Sequence, residues 1–179
     1  MQPQSPSPRP VHGPSAGAAT RPALAQVLDA ACARHATRLA LRGEGQTLTY
    51  QALRERAQAL ADQLTTQGLA PADPVMVKSS NHPLDFVALL GVWLAGGVAV
   101  PVHRTSPDGV VEGIQSKAGC RFGVDLDPRQ PTGLAVRALR ATAPDTPDRQ
   151  ALLAGAALVI FTSGSTGLPK GAVLTHTAF

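Results

Sequence analysis

Apolar residues recur at helical spacing near the start of the chain, at Leu24, Val27, Leu28, Ala31 and Cys32, and predict a surface helix with one buried stripe. Short apolar runs at 39–41 and 48–50 flank Gly43-Glu44-Gly45-Gln46, a segment able to supply the positive-φ residues of a tight hairpin. Thr49 is placed to cap a second helix with Leu53, Ala57, Leu60, Ala61 and Leu64 on one face, ended by Gly68 and Pro71. A strand follows over 75–78. Pro83 suits the first turn of a third helix, whose inward face the spacing assigns to Phe86, Leu89, Leu90, Trp93 and Leu94. Gly96-Gly97 ends it, the valine-rich run 98–102 predicts a buried strand, and Ser106-Pro107-Asp108 opens a fourth helix that Gly119 closes. Between Cys120 and Leu153 prolines and glycines interrupt every period, and only 134–139 suggests a strand. Residues 157–161 form a further apolar strand, and the run after Lys170 has the look of a buried one.

Strands alternating with helices of this length require crossover connections, so the expected class is α/β, a mostly parallel sheet flanked by helices. At 179 residues, 44% of them hydrophobic, the chain suffices for one core of ordinary domain size. The expected organisation is a disordered leader over 1–22, rich in Pro, Ser and Gln, followed by an incomplete N-terminal domain over 23–179.

Charge narrows the function classes. The net charge of +4 comes mainly from singly scattered arginines, and Lys78, Lys117 and Lys170 are the lysines, so no basic run tracks a nucleic-acid backbone. Aromatics at 3% are too sparse for base stacking. The apolar stretch 86–102 contains Gly91, Gly96, Gly97 and Pro101 and falls short of the ~20 residues of a membrane span, so no membrane span is expected. Cys32 and Cys120 have no metal-ligand spacing around them, and no metal site is expected. The leader lacks the apolar core of an export signal, which points to the cytoplasm.

The chemistry concentrates after the strand at 157–161, in Thr162-Ser163-Gly164-Ser165-Thr166-Gly167-Leu168-Pro169-Lys170-Gly171. Gly164, Gly167 and Gly171 allow positive φ and close backbone approach, so that N–H groups and four hydroxyls can converge on phosphate oxygens while Lys170 brings a mobile cation. A Walker loop needs Ser or Thr after its Lys, and Gly171 stands there instead. The nucleophile elbow fails too, because Ser163 occupies the place of its first glycine.

This run resembles the signature loop of the adenylate-forming superfamily: acyl-CoA synthetases, adenylation domains of peptide synthetases, and luciferases. Leu48-Thr49-Tyr50-Gln51-Ala52-Leu53 and Leu94-Ala95-Gly96-Gly97-Val98-Ala99-Val100-Pro101-Val102 look like two further patches of that family, in its order. His103 departs from the Asn or Asp more usual there, and the interval from Pro101 to Phe161 looks short, so the core between is expected to be trimmed or divergent.

The resemblance implies the N-terminal part of an AMP-forming ligase that uses ATP and Mg²⁺ to convert a carboxylic acid into an acyl adenylate. CoA is the implied acceptor and fatty-acid metabolism the implied setting, with a peptide-synthetase adenylation domain as the alternative. Thr162, Ser163, Gly164, Ser165, Thr166, Gly167 and Lys170 would hold the β- and γ-phosphates, and no catalytic residue is assigned to this stretch. His176 ends the run as it does in the family, yet a cap or a satisfied polar group is the expectation for it, and packing is the expectation for Tyr50 and Trp93. The adenine-, ribose- and metal-binding motifs and the C-terminal lysine of the family do not occur before Phe179. The chain is therefore expected to be an inactive fragment, poorly soluble alone; a noncatalytic phosphate-binding module is the other reading.

Overall fold

The structure, a computed structural model, describes residues 24–140, 146–162 and 170–178. The expected leader lies outside them. Helix α1 (Leu24–Arg34) leads into a hairpin of β1 (Leu39–Gly43) and β2 (Gln46–Thr49), turned by Glu44 at φ 47° and Gly45 at φ 70°. Two consecutive positive-φ residues give the turn a twist that matches its strands. Tyr50, expected in the second strand, instead begins α2 (Tyr50–Thr66), because the Thr49 hydroxyl accepts the Ala52 N–H at 3.1 Å and caps the helix there.

The main sheet has six strands in the order β6-β5-β3-β4-β7-β8. Its centre is parallel, made of β5 (Phe122–Leu126), β3 (Pro74–Ser79), β4 (Val98–His103) and β7 (Ala156–Thr162). Two antiparallel strands close it, β6 (Leu134–Ala138) on one side and β8 (Lys170–Thr175) on the other. The expected α/β class and mostly parallel sheet are thus observed. Alternation along β3 sends Val75 and Val77 to a core under α1, α2 and α3 (Pro83–Leu94), and Met76 to a second core under α4 (Asp108–Ala118) and α5 (Pro147–Leu153). Helices therefore cover both faces, as crossover connections demand.

Three expectations about which residues face inward need correction. In α3 the buried residues include Leu84, Val87, Ala88, Leu90, Gly91 and Val92, whereas Phe86 is 59% exposed and Leu89, Trp93 and Leu94 are half-buried. This helix is apolar almost all round, so its period does not select a face; packing against both α2 and the sheet does. In α1 the inward stripe is Ala25, Leu28 and Cys32, and Val27 is exposed. Strand β8 is not buried: Lys170, Gly171, Ala172 and Thr175 are exposed and Val173 and Leu174 half-buried, as befits an edge strand.

The interval from Pro101 to Phe161 holds α4, β5, β6 and α5, of which only α4 and β6 are foreshadowed by pattern. Thr146-Pro147 was the available signal for α5: the Thr146 hydroxyl accepts the Arg149 N–H at 3.3 Å, and Pro147 fills the first helical position. Cys32 and Cys120 are free and buried; burial raises the pKa of both, that of Cys120 to about 12. Among the described residues no helix is long and apolar enough to cross a membrane.

Candidate functional site

Strand β7 runs parallel to β4, with Ala99 opposite Leu158, so its carboxyl end emerges beside those of the other central strands. Ligands of open α/β sheets bind at that end. The chain leaves the sheet there after Thr162 and returns at Lys170, its cross-strand partner; both side chains are exposed. An exposed hydroxyl and an exposed ammonium therefore flank residues 163–169 on two paired strands. The other expected phosphate contacts, Ser163, Gly164, Ser165, Thr166 and Gly167, lie outside the described residues.

Gly171 serves a different purpose from the one the sequence suggests. Its φ is not in the left-handed region; a Cβ there would lie 3.1 Å from Cε1 and Cζ of Phe161 and 3.2 Å from Cγ1 of Val159. The glycine makes room for an aromatic ring across the ladder, a pairing that protects a glycine strand position.

At the other end the ladder is irregular. Ala156 pairs with Thr175 but Leu158 with Leu174, leaving Ala157 as an extra residue in a β-bulge. The fully buried Ala157 turns its carbonyl to α3, where it accepts the indole N–H of Trp93 at 2.8 Å. The Trp93 ring meets His176 edge-on, centroids 6.4 Å apart, and the His176 N–H donates to the Gly155 carbonyl at 3.0 Å. His176 thus sits at the end of the hairpin remote from Lys170, packed against Trp93, and its ring is not the satisfied polar group expected. Its Nδ1 is buried without a partner, and burial lowers the pKa of the ring. Trp93 itself is half-buried rather than core, and its contact with Ala157, 64 residues away, had no local signal.

A polar crevice of about 440 Å³ opens at the carboxyl ends of β4 and β5, lined by Gln46, Arg56, His82, Arg104 and Gln130 among others. His82 also caps α3, its Nδ1 accepting the Leu84 N–H at 3.1 Å, and Arg104 is ion-paired with Asp125. The sequence pointed to none of these as a group because they come from separate elements. His103, the departure from the family pattern, ends β4 with its Nδ1 2.8 Å from the Thr105 hydroxyl.

The chain is 37% identical over 148 residues to phenyloxazoline synthase MbtB of Mycobacterium sp. (strain MCS), a match covering 76% of this chain and 12% of that protein. It is 33% identical over 152 residues to a feruloyl-CoA synthase of Amycolatopsis sp, covering 79% of this chain and 30% of the relative. Among solved structures it resembles the N-terminal subdomain of NpsA from Klebsiella oxytoca in complex with 3-hydroxyanthranilyl-AMSN, with a TM-score of 0.65 at 26% identity over 86% of this chain and 40% of that one. The chain thus spans less than a third of the length of the curated relatives named here. The profile of the AMP-binding enzyme family matches residues 28–179. The chain belongs to the AMP-binding enzymes, the adenylate-forming family that its loop resembles.

Proposed function

We propose that this chain supplies the phosphate-binding hairpin of an ATP-dependent, AMP-forming ligase that activates a carboxylic acid as its acyl adenylate and passes the acyl group to a thiol. The observation that carries this reading is the pairing of Thr162 with Lys170 at the carboxyl end of a parallel strand, in a chain of the AMP-binding family. Thr162, Ser163, Gly164, Ser165, Thr166, Gly167 and Lys170 would bind the β- and γ-phosphates, the group that departs as pyrophosphate. Their contribution is electrostatic: hydroxyls, N–H groups and one ammonium held where negative charge accumulates as the α-phosphorus is attacked. Mg²⁺, the metal the family resemblance implies, would neutralise charge on the phosphate oxygens of ATP. Residues 23–179 would form an incomplete N-terminal domain of that ligase, working in the cytoplasm.

The acceptor is read first as CoA, after the feruloyl-CoA synthase and 2-succinylbenzoate–CoA ligase among the relatives. A carrier-protein thiol is the second reading, favoured by the 37% identity to phenyloxazoline synthase and by the likeness to a fused adenylation–carrier didomain of NpsA and ThdA. The test is exchange of labelled pyrophosphate into ATP, driven by a panel of fatty, aryl and amino acids, in this chain and in the full reading frame that encodes it. Acid-dependent exchange supports the ligase; ATP binding without exchange for any acid in either protein would leave a noncatalytic phosphate-binding module. Transfer of the adenylate to free CoA or to a phosphopantetheinyl carrier protein then separates the two acceptors.

A further inference from the structure

We infer that Trp93 is a positioning residue for the phosphate-binding hairpin, setting the strand register in which Thr162 and Lys170 face each other. The register is unambiguous near the loop, with Phe161 opposite Gly171 and Thr162 opposite Lys170, yet it depends on the bulge at Ala157. Ala156, Val159 and Phe161 all pack on the core under α4 and α5. Simple alternation would put Ala156 on the opposite face from the other two; the extra residue at Ala157 reconciles them.

A bulge removes a carbonyl from the ladder, and a buried carbonyl needs a donor. Ala157 is fully buried, and the donor is the indole N–H of Trp93, reaching across from α3 at 2.8 Å. Without that hydrogen bond the ladder regains its partner by straightening, which shifts β8 by one residue along β7. Ile160 then faces Gly171, and Phe161 faces Lys170. Every side chain beyond the bulge changes its partner, and the two ends of the 163–169 segment no longer leave from paired positions. Trp93 acts over about 17 Å, five residues of strand, without approaching the loop.

That this register matters for phosphate rests on the function proposed above; the register itself can be read without any ligand. Trp93 is the single tryptophan of the chain, so growth on the benzothiophene analogue of tryptophan replaces it alone, keeping the ring's shape and deleting the N–H donor. Cross-strand nuclear Overhauser contacts between Phe161 and Gly171 and between Thr162 and Lys170 should be lost or shifted by one residue. Amide protection in α2 and α3 should stay as it is. Affinity for magnesium pyrophosphate, measured by titration calorimetry, should fall about tenfold or more. W93F provides a second variant that also lacks the donor and should repeat the register change. Unchanged cross-strand contacts in both proteins would overturn the inference, as would pyrophosphate affinity within about threefold of the parent despite a shifted register. If the unmodified chain binds no pyrophosphate, the phosphate reading of the hairpin fails, while the cross-strand contacts still decide whether Trp93 sets the register.

Discussion

The ring of Phe161 lies across Gly171 so closely that a methyl group on Gly171 would stand 3.1 Å from two ring carbons. An alanine there forces the ring or the edge strand to move by a few tenths of an ångström. Gly171→Ala should cost about 1–3 kcal/mol, the usual penalty of overpacking. Phe161→Leu in the same chain should absorb part of it, so that the double variant is less destabilised than the sum of the singles. Urea unfolding followed by Trp93 fluorescence gives all three values, and strict additivity would mean that the ring is not what Gly171 accommodates.

Gly91 predicts a larger effect by the same reasoning. A Cβ at Gly91 would meet Cδ2 of Leu60 at 2.7 Å and the backbone oxygen of Ala57 at 2.9 Å, and a helix backbone yields less than a ring. Gly91→Ala should therefore fall toward the upper end of the ~1–3 kcal/mol range by forcing α2 and α3 apart. Gly113 in α4 meets nothing within 4 Å and has no positive φ, so Gly113→Ala should stabilise by about 0.5–1 kcal/mol through helix propensity alone. Thermal melts of the two variants should move in opposite directions.

His176 makes stability depend on pH. Burial keeps its folded pKa below the ~6.5 of an exposed imidazole. As pH falls below about 6.5 the unfolded chain takes up a proton that the folded chain refuses, so stability drops until the lower folded pKa is reached. Above about pH 7.5 both states are neutral and the group contributes no slope. His176→Phe keeps a ring against Trp93 and removes the titration. The melting temperature of the parent relative to this variant should decline between about pH 7.5 and 5, and a constant difference would assign the pH dependence to other groups.

Lys170→Ala should slow adenylation by roughly 10- to 100-fold in the full reading frame, corresponding to the ~1.5–3 kcal/mol of a hydrogen bond to a charged group. Pyrophosphate exchange measures it directly. An effect below about threefold would remove Lys170 from phosphate binding.

Local signals are strong where one residue fixes one backbone event. Thr49 caps α2, Pro83 starts α3, Gly119 at φ 74° ends α4 and the Glu44-Gly45 turn closes the first hairpin, and all four were legible in the sequence. The candidate loop was legible for a similar reason, since its glycines, hydroxyls and lysine are contiguous. Strand β5 and helix α5 were not read, because Gly123 and the surrounding prolines break the period even though the strand is held by partners on both sides.

The sequence by itself determined the alternation of strands and helices, the termini of most helices and the family, because capping, turn chemistry and apolar periodicity act between residues a few positions apart. Only the tertiary structure decided which side of α3 faces inward, why Gly171 must be glycine, and that Trp93 satisfies the carbonyl freed at Ala157. Those outcomes depend on packing and hydrogen bonding between segments distant along the chain, and no local pattern encodes which distant surface arrives.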